Sequence, residues 1–377
     1  MESIADRVRC DRVPPFTRAA CRLFLGVALL AALYAALGWR AELADTGGST
    51  RQVWPLHVAN LVFFFSATAG LVLAPGLTRA LGVVHQRALA AGAEALAVAG
   101  LVLAAVFVLL DLARTARVAR LVRPDHFDAP ITWDLLIAAT YFCMVAAVGY
   151  GRRALGPALP GAASLAAALL LYAMSASILG VLGIGPGWPS VLIALVFVVP
   201  TLVAGLALWI LVAALVPIGL EVQTKETIVP ELGRALLRLI PVLALSLLGE
   251  TLSVAQAAGG AGGHIAHELL VGDYAPFVLF GFIGGLVLPF VLLMCRRTRT
   301  VRGIGLAAVL VVGGVLAARW HLIAAGALRH AHPPGATGGY APTWPELSST
   351  VAGYAVALLV CASSTWSLRR SRLGGAA

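Results

Sequence analysis

His57 and Asn60 stand three residues apart in VWPLHVANLVFFF, a step of about 300° that keeps both on one helical face. Asp111 and Arg114 form a second close pair in LDLARTAR. Asp134 and Tyr141 lie two turns apart in TWDLLIAATY. Glu250 sits in LLGETLS and Glu94 in AGAEALA. All are set in or at the ends of apolar runs, where ionisable groups are costly and are functional suspects by default. Together they offer hydrogen-bond donors, acceptors and proton exchangers. Such a set suits a redox head group with two carbonyl oxygens at opposite ends that gains or loses protons as electrons move, as a quinone does. A separate pattern runs through 111–134, where Arg114, Arg117, Arg120 and Arg123 recur at three-residue spacing among Asp111, Asp125, Asp128 and Asp134.

The elements that position these groups follow from composition. The chain has 377 residues, 60% hydrophobic and 12% charged, with a mean hydropathy of +0.93. A soluble domain is roughly a quarter charged and about half apolar. The 40 glycines suit helices packed closely in lipid. The fold class is therefore an all-α integral membrane protein. At about 20 residues per span, ten spans fall near 19–39, 54–76, 88–110, 131–150, 161–183, 189–217, 235–255, 275–295, 301–321 and 348–368. The first is a span rather than a secretory leader, because its charged lead is long and no small-residue cleavage site follows. Pro200 and Pro217 interrupt the sixth run. No internal repeat is visible.

Lysine and arginine set the orientation. With both termini cytoplasmic, 19 of the 27 basic residues fall in inner segments and 8 in outer ones, and four of those 8 are the 114–123 cluster. The net charge of +10 thus belongs mainly to short orienting loops and implies no nucleic-acid partner. In this arrangement His57, Asn60, Asp111, Arg114, Asp134, Tyr141, Glu250 and the Arg319–Trp320–His321 run converge on the outer third of the membrane. Glu94 alone lies toward the inner side.

Each residue also has a plainer reading. His57 beside Trp54 suits an interfacial anchor. Asp111 and Arg114 suit a helix-end ion pair, Tyr141 a core tyrosine, and Trp133 and Trp320 an aromatic belt. The arginine row suits a solvated face or lipid phosphates. Glu94 and Glu250 are hardest to explain this way, and the convergence is stronger than any member. A haem is disfavoured, since none of the eight histidines lies in the middle of a span. The five scattered cysteines include no CxxC pair, so neither iron–sulfur nor zinc sites are expected in this chain. Electrons then have to come from a partner subunit. A substrate transporter fits less well, because its site would lie at the midplane between broken helices.

The runs WPLHVANLVFFFSATAG, LDLARTAR and APITWDLLIAATYF resemble the NrfD/PsrC family of membrane quinone-interacting subunits. LLGETLS, RWHLIAAG and GGYAPTWPELSSTVAG resemble its ten-helix branch, which includes the hydrogenase subunit HybB and the membrane subunits of alternative complex III. The resemblance covers about 53 to 355. It implies a subunit of a bacterial inner membrane, without haem or iron–sulfur cluster, holding menaquinone or ubiquinone near the outer face. It implies two four-helix bundles, 53–183 and 184–321, flanked by 1–52 with the first span and by 322–377 with the tenth. An iron–sulfur subunit would cap the outer face, linked to a catalytic subunit of molybdopterin, hydrogenase or cytochrome type. Carried over, the family's Asp-Leu-Gly-Arg element falls on Asp111, Leu112, Ala113 and Arg114. The Ser-Pro-x-x-Trp element falls on Ala129, Pro130 and Trp133, with Asp134 following. The acid of the later bundle falls on Glu250, and the Tyr-x-Pro-Thr-Trp-x-Glu element on Tyr340, Pro342, Thr343, Trp344 and Glu346.

Three departures matter: Ala113 replaces a glycine, Ala129 a serine, and SATAG lacks the second-span histidine of alternative complex III relatives, Thr68 standing near that position. On this resemblance His57, Asn60, Asp111, Arg114, Asp134, Tyr141 and Glu250 contact the quinone or its protons. Glu94 starts an inner proton route, and Arg117, Arg120 and Arg123 dock the partner. A rival reading, supported by the missing histidine, is a structural anchor or proton-translocating subunit without its own quinone site.

Overall fold

In a computed structural model of the chain, the described residues are 55–80, 190–215, 222–256, 270–272, 275–331, 344 and 347–355, with isolated positions at 97, 100, 103, 104, 107 and 140. Among them helices are the only regular structure. α1 is Pro55–Ala80, α2 Ser190–Leu215, α3 Val222–Gln256, α4 Ala275–Met294 and α5 Val301–Ala331. A further helical stretch, α6, covers 347–355. The stretches Glu226–Gly249, Ala275–Met294 and Val301–His321 are each long and apolar enough to cross a bilayer.

α1, α2 and α4 match the expected spans closely, because continuous apolar sequence defines both. α3 and α5 do not. α3 begins at Val222 rather than 235, and α5 continues to Ala331 rather than ending at 321. The added turn-forming sequence of α3, VQTKETIVPELGR, is rich in helix-tolerant charged residues, and Glu226, Glu231 and Arg234 are exposed. Apolarity marks where a helix crosses lipid; hydrogen bonding carries it onward into water. Pro200 lies inside α2, and Pro230 and Pro241 inside α3.

The helices meet over small residues. α1 crosses α2 where Gly70 faces Gly205, so closely that a Cβ on either would overlap the other's backbone. α4 crosses α5 in the same way at Gly285 and Gly314. Lipid tails are as apolar as leucine, so close van der Waals packing rather than burial alone favours association here. α4 also carries a widened π turn over Phe280–Val287, in which the Leu288 N–H reaches the Ile283 carbonyl. Pro289 follows at once. Its ring crowds the carbonyl four residues back, at Gly285, and the wider turn relieves that crowding. The opposite face of α4 exposes Leu279, Ile283, Val287, Val291 and Met294, an apolar stripe turned to lipid.

Candidate functional site

Four residues of α1 at helical spacing, His57, Asn60, Phe64 and Thr68, form one buried stripe. His57 is 0% exposed and Asn60 1%. His57 Nε2 is hydrogen-bonded to Ser349 Oγ of α6 at 2.6 Å, in a direction set by the imidazole tautomer. The Tyr354 hydroxyl donates to Asn60 Oδ1 at 2.8 Å, and Asn60 Nδ2 donates to the Leu56 carbonyl one turn back. Since 57 pairs with 349 and 60 with 354, α1 and α6 run parallel. Parallel spans require an odd number of spans between them, as the expected second and tenth have.

Aromatic rings close this polar node. Phe107 lies 5.9 Å from the His57 ring and stacks on Phe64 at the same centroid distance, while Tyr354 is 5.3 Å from Phe64. A Cβ at Gly353 would press on the Phe107 ring, so α6 can approach only because that position is bare. Lower on α1, Thr68 is fully buried, its hydroxyl 3.5 Å from the Ala97 carbonyl and packed over Gly100. A methyl group at Gly100 would press on the Thr68 hydroxyl, so the two segments meet closely here.

His57 and Asn60 are the two expected site residues whose surroundings are described, and the fold brings them together. Glu250 belongs to α3, but its side chain lies outside the described residues. Asp111, Arg114, Asp134, Tyr141, Glu94, Arg117, Arg120 and Arg123 also lie outside them. Ser349 and Tyr354 were not anticipated. The available signal was Ser349 and Gly353 four residues apart, a small-residue pair that marks a close helix contact.

A second polar group lies on α5. Arg319 is 1% exposed and His321 8%, and His321 lines a cavity of about 20 Å³ with Leu247, Phe277 and Phe282. That is room for about one water. Trp320 is not a belt residue: it is 6% exposed, with its ring 4.0 Å from Phe277. Burying the indole against α4 removes more apolar surface than leaving it at the membrane interface.

Replacing Tyr354 with Phe leaves Asn60 Oδ1 without its tyrosine donor and keeps the ring contacts. Interhelical hydrogen bonds in membranes are worth about 1 kcal/mol. Tyr354→Phe should therefore lower the melting temperature in detergent by a few degrees. An unchanged melting curve would show that the bond adds nothing.

Long apolar helices tied by a buried polar node define a polytopic α-helical membrane protein. The family model described as polysulphide reductase, NrfD, matches residues 45–331, most of the chain, and the protein belongs to that family. A search of curated proteins finds no match. The family comprises membrane subunits of quinone-linked oxidoreductases. They interact with quinone and typically pair with an iron–sulfur subunit and a catalytic subunit.

Proposed function

We propose that this chain exchanges electrons between a membrane quinone and an iron–sulfur partner, through a pocket at the outer face beside the His57–Asn60 node. The observation that carries the reading is the pairing of His57 with Ser349 and Asn60 with Tyr354, a buried cluster of an imidazole, an amide and two hydroxyls among aromatic rings. A quinone head offers two carbonyl oxygens, and this node supplies an imidazole, an amide and two hydroxyls. Asp134 and Glu250 complete the proton exchange, with Asp111, Arg114 and Tyr141 in support. Ten spans and two cytoplasmic termini, as in the ten-helix branch of the family, agree with the parallel course of α1 and α6.

Purification in mild detergent, followed by quinone extraction and mass spectrometry of co-purifying polypeptides, tests this. Menaquinone or ubiquinone together with an iron–sulfur subunit is expected. Neither one appearing would overturn the reading.

Arg117, Arg120 and Arg123 form the docking surface for that partner. Reversing Arg117 and Arg120 to Glu should release the iron–sulfur subunit during purification, and undiminished co-purification would rule the surface out. Glu94 begins an inner proton route. Glu94→Gln should then reduce proton uptake in proteoliposomes more than quinol oxidation; equal losses would remove Glu94 from the route.

One observation favours a second reading. His57 is fully buried, and Ser349 occupies its Nε2. A node so closed also serves as a purely structural tie in a subunit that anchors its partners without a quinone of its own. An iron–sulfur partner purified without quinone, and no binding of a quinone analogue, would select that alternative.

A further inference from the structure

At the opposite end of α3 from Glu250 lies a cavity of about 230 Å³, lined by Gly233, Arg234, Leu237, Leu293, Arg299 and Ile304. Three segments build it: the N-terminal half of α3 from Pro230 to Leu237, the last turn of α4, and the turn into α5 with that helix's first residues. That last turn is firmly held. The Thr298 N–H donates to the Cys295 carbonyl, the Thr298 hydroxyl to the Leu292 carbonyl, and Arg299 Nε to the Leu293 carbonyl. The Arg299 guanidinium is thus fixed in the cavity lining, and its Nη1 and Nη2 groups make no hydrogen bond among the described residues. Arg234 stands on the opposite wall. Neither arginine pairs with a described carboxylate, although Glu226 and Glu231 are exposed on the same helix.

The remaining walls are apolar, and they continue outward. Val291 and Met294, 55% and 58% exposed, extend the lipid-facing stripe of α4 to the level of the cavity. The site therefore presents two guanidinium groups above a hydrocarbon surface. A free inorganic anion would use only the first of these features, whereas a phospholipid uses both. Basic pockets between membrane helices favour anionic head groups, and Arg forks phosphate oxygens bidentately. The arginine distribution assigns this end to the cytoplasmic face, where Arg296, Arg297 and Arg302 are also exposed.

We propose that the Arg234–Arg299 cavity binds the phosphate of an anionic glycerophospholipid, with its acyl chains lying along α4. None of its lining residues belongs to the His57–Asn60 node.

The test is native mass spectrometry of the delipidated protein, titrated with phosphatidylglycerol, phosphatidylcholine or inorganic phosphate. Phosphatidylglycerol should bind at least about tenfold more tightly than phosphatidylcholine. Arg234→Gln should weaken it about fivefold, the worth of one basic residue near a membrane surface. Arg302→Gln, outside the cavity lining, should change it less than about twofold on the same scale. Arg234 is exposed and makes no hydrogen bond or ion pair among the described residues, so its replacement leaves the fold intact, and the comparison of lipids on the unaltered protein requires no variant. Equal affinity for the two lipids would overturn the proposal. So would equal losses in the two variants, which would mean a diffuse field rather than a site. Displacement of the lipid by inorganic phosphate at matching concentration would identify an anion site without lipid preference and would overturn it too.

Discussion

Replacing His57 with Gln should lower quinone-linked turnover by about 100-fold or more while leaving the protein folded and its partners attached. Glutamine matches the reach of the imidazole and can keep one hydrogen bond to Ser349 Oγ, which holds His57 Nε2 at 2.6 Å. It cannot take up and release a proton near neutral pH, as an imidazole can. If His57 exchanges protons with the quinone head, the loss is that of a general acid–base group, about 10²- to 10⁴-fold. If His57 only ties α1 to α6, Gln retains the tie and turnover stays near that of the unaltered protein. His57→Leu removes both roles and should also lower the melting temperature. Ser349→Ala keeps the imidazole but frees its orientation, so a loss of only a few-fold is expected. The discriminating measurement is turnover of the Gln variant in the assembled complex with a soluble quinol. Turnover within about twofold of the parent would remove His57 from the chemistry and leave it a structural residue.

His57 and Asn60 were legible because a histidine and an asparagine one turn apart are conspicuous among VWPLHVANLVFFF. Their partners were not, because Ser349 and Tyr354 lie 292 and 294 residues away in the chain. Local pattern carries no record of which distant helix returns to a given face. Ser349 and Gly353 announce only that their helix packs closely against something. The membrane class and the positions of α1, α2 and α4 followed from apolarity alone, since the bilayer makes it the dominant constraint. The true lengths of α3 and α5 did not, since backbone hydrogen bonding continues each helix past the stretch that apolarity marks. Thr68 shows a third kind of limit. The sequence displays a threonine amid small residues, but its neighbours Gly100 and Ala97, about 30 residues further along the chain, are visible only in three dimensions.

Gly205→Leu should be the most damaging single change within the described helices. A Cβ at Gly205 would fall on the backbone of Gly70 and the nitrogen of Leu71, and one at Gly70 on the Thr201 carbonyl. No side-chain rotamer can relieve such a clash, since the obstacle on each side is main chain. Overpacking a core costs about 1–3 kcal/mol when side chains can yield, and more when they cannot. α1 and α2 would have to separate along their shared crossing, giving up contacts made by Phe65, Val72 and Trp209 in the core around it. Even Gly205→Ala should lower the melting temperature markedly. Gly249 provides the opposite case: a Cβ there meets nothing within 4 Å. Gly249→Ala should be neutral or stabilising by up to about 1 kcal/mol, the helix-propensity difference. The pair Gly70→Ala and Gly205→Ala should be less than additive, because the first substitution already opens the gap that the second would fill. Thermal unfolding in detergent checks all four. A Gly205→Ala protein as stable as its parent would mean that the two backbones do not meet there. The crossing also matters for the site. α1 carries His57 and Asn60 on the same rigid rod as Gly70, so a helix displaced at Gly70 shifts both away from Ser349 and Tyr354. Gly205 variants that still assemble should therefore lose turnover together with stability, although Gly205 itself touches neither His57 nor the residues that hold it.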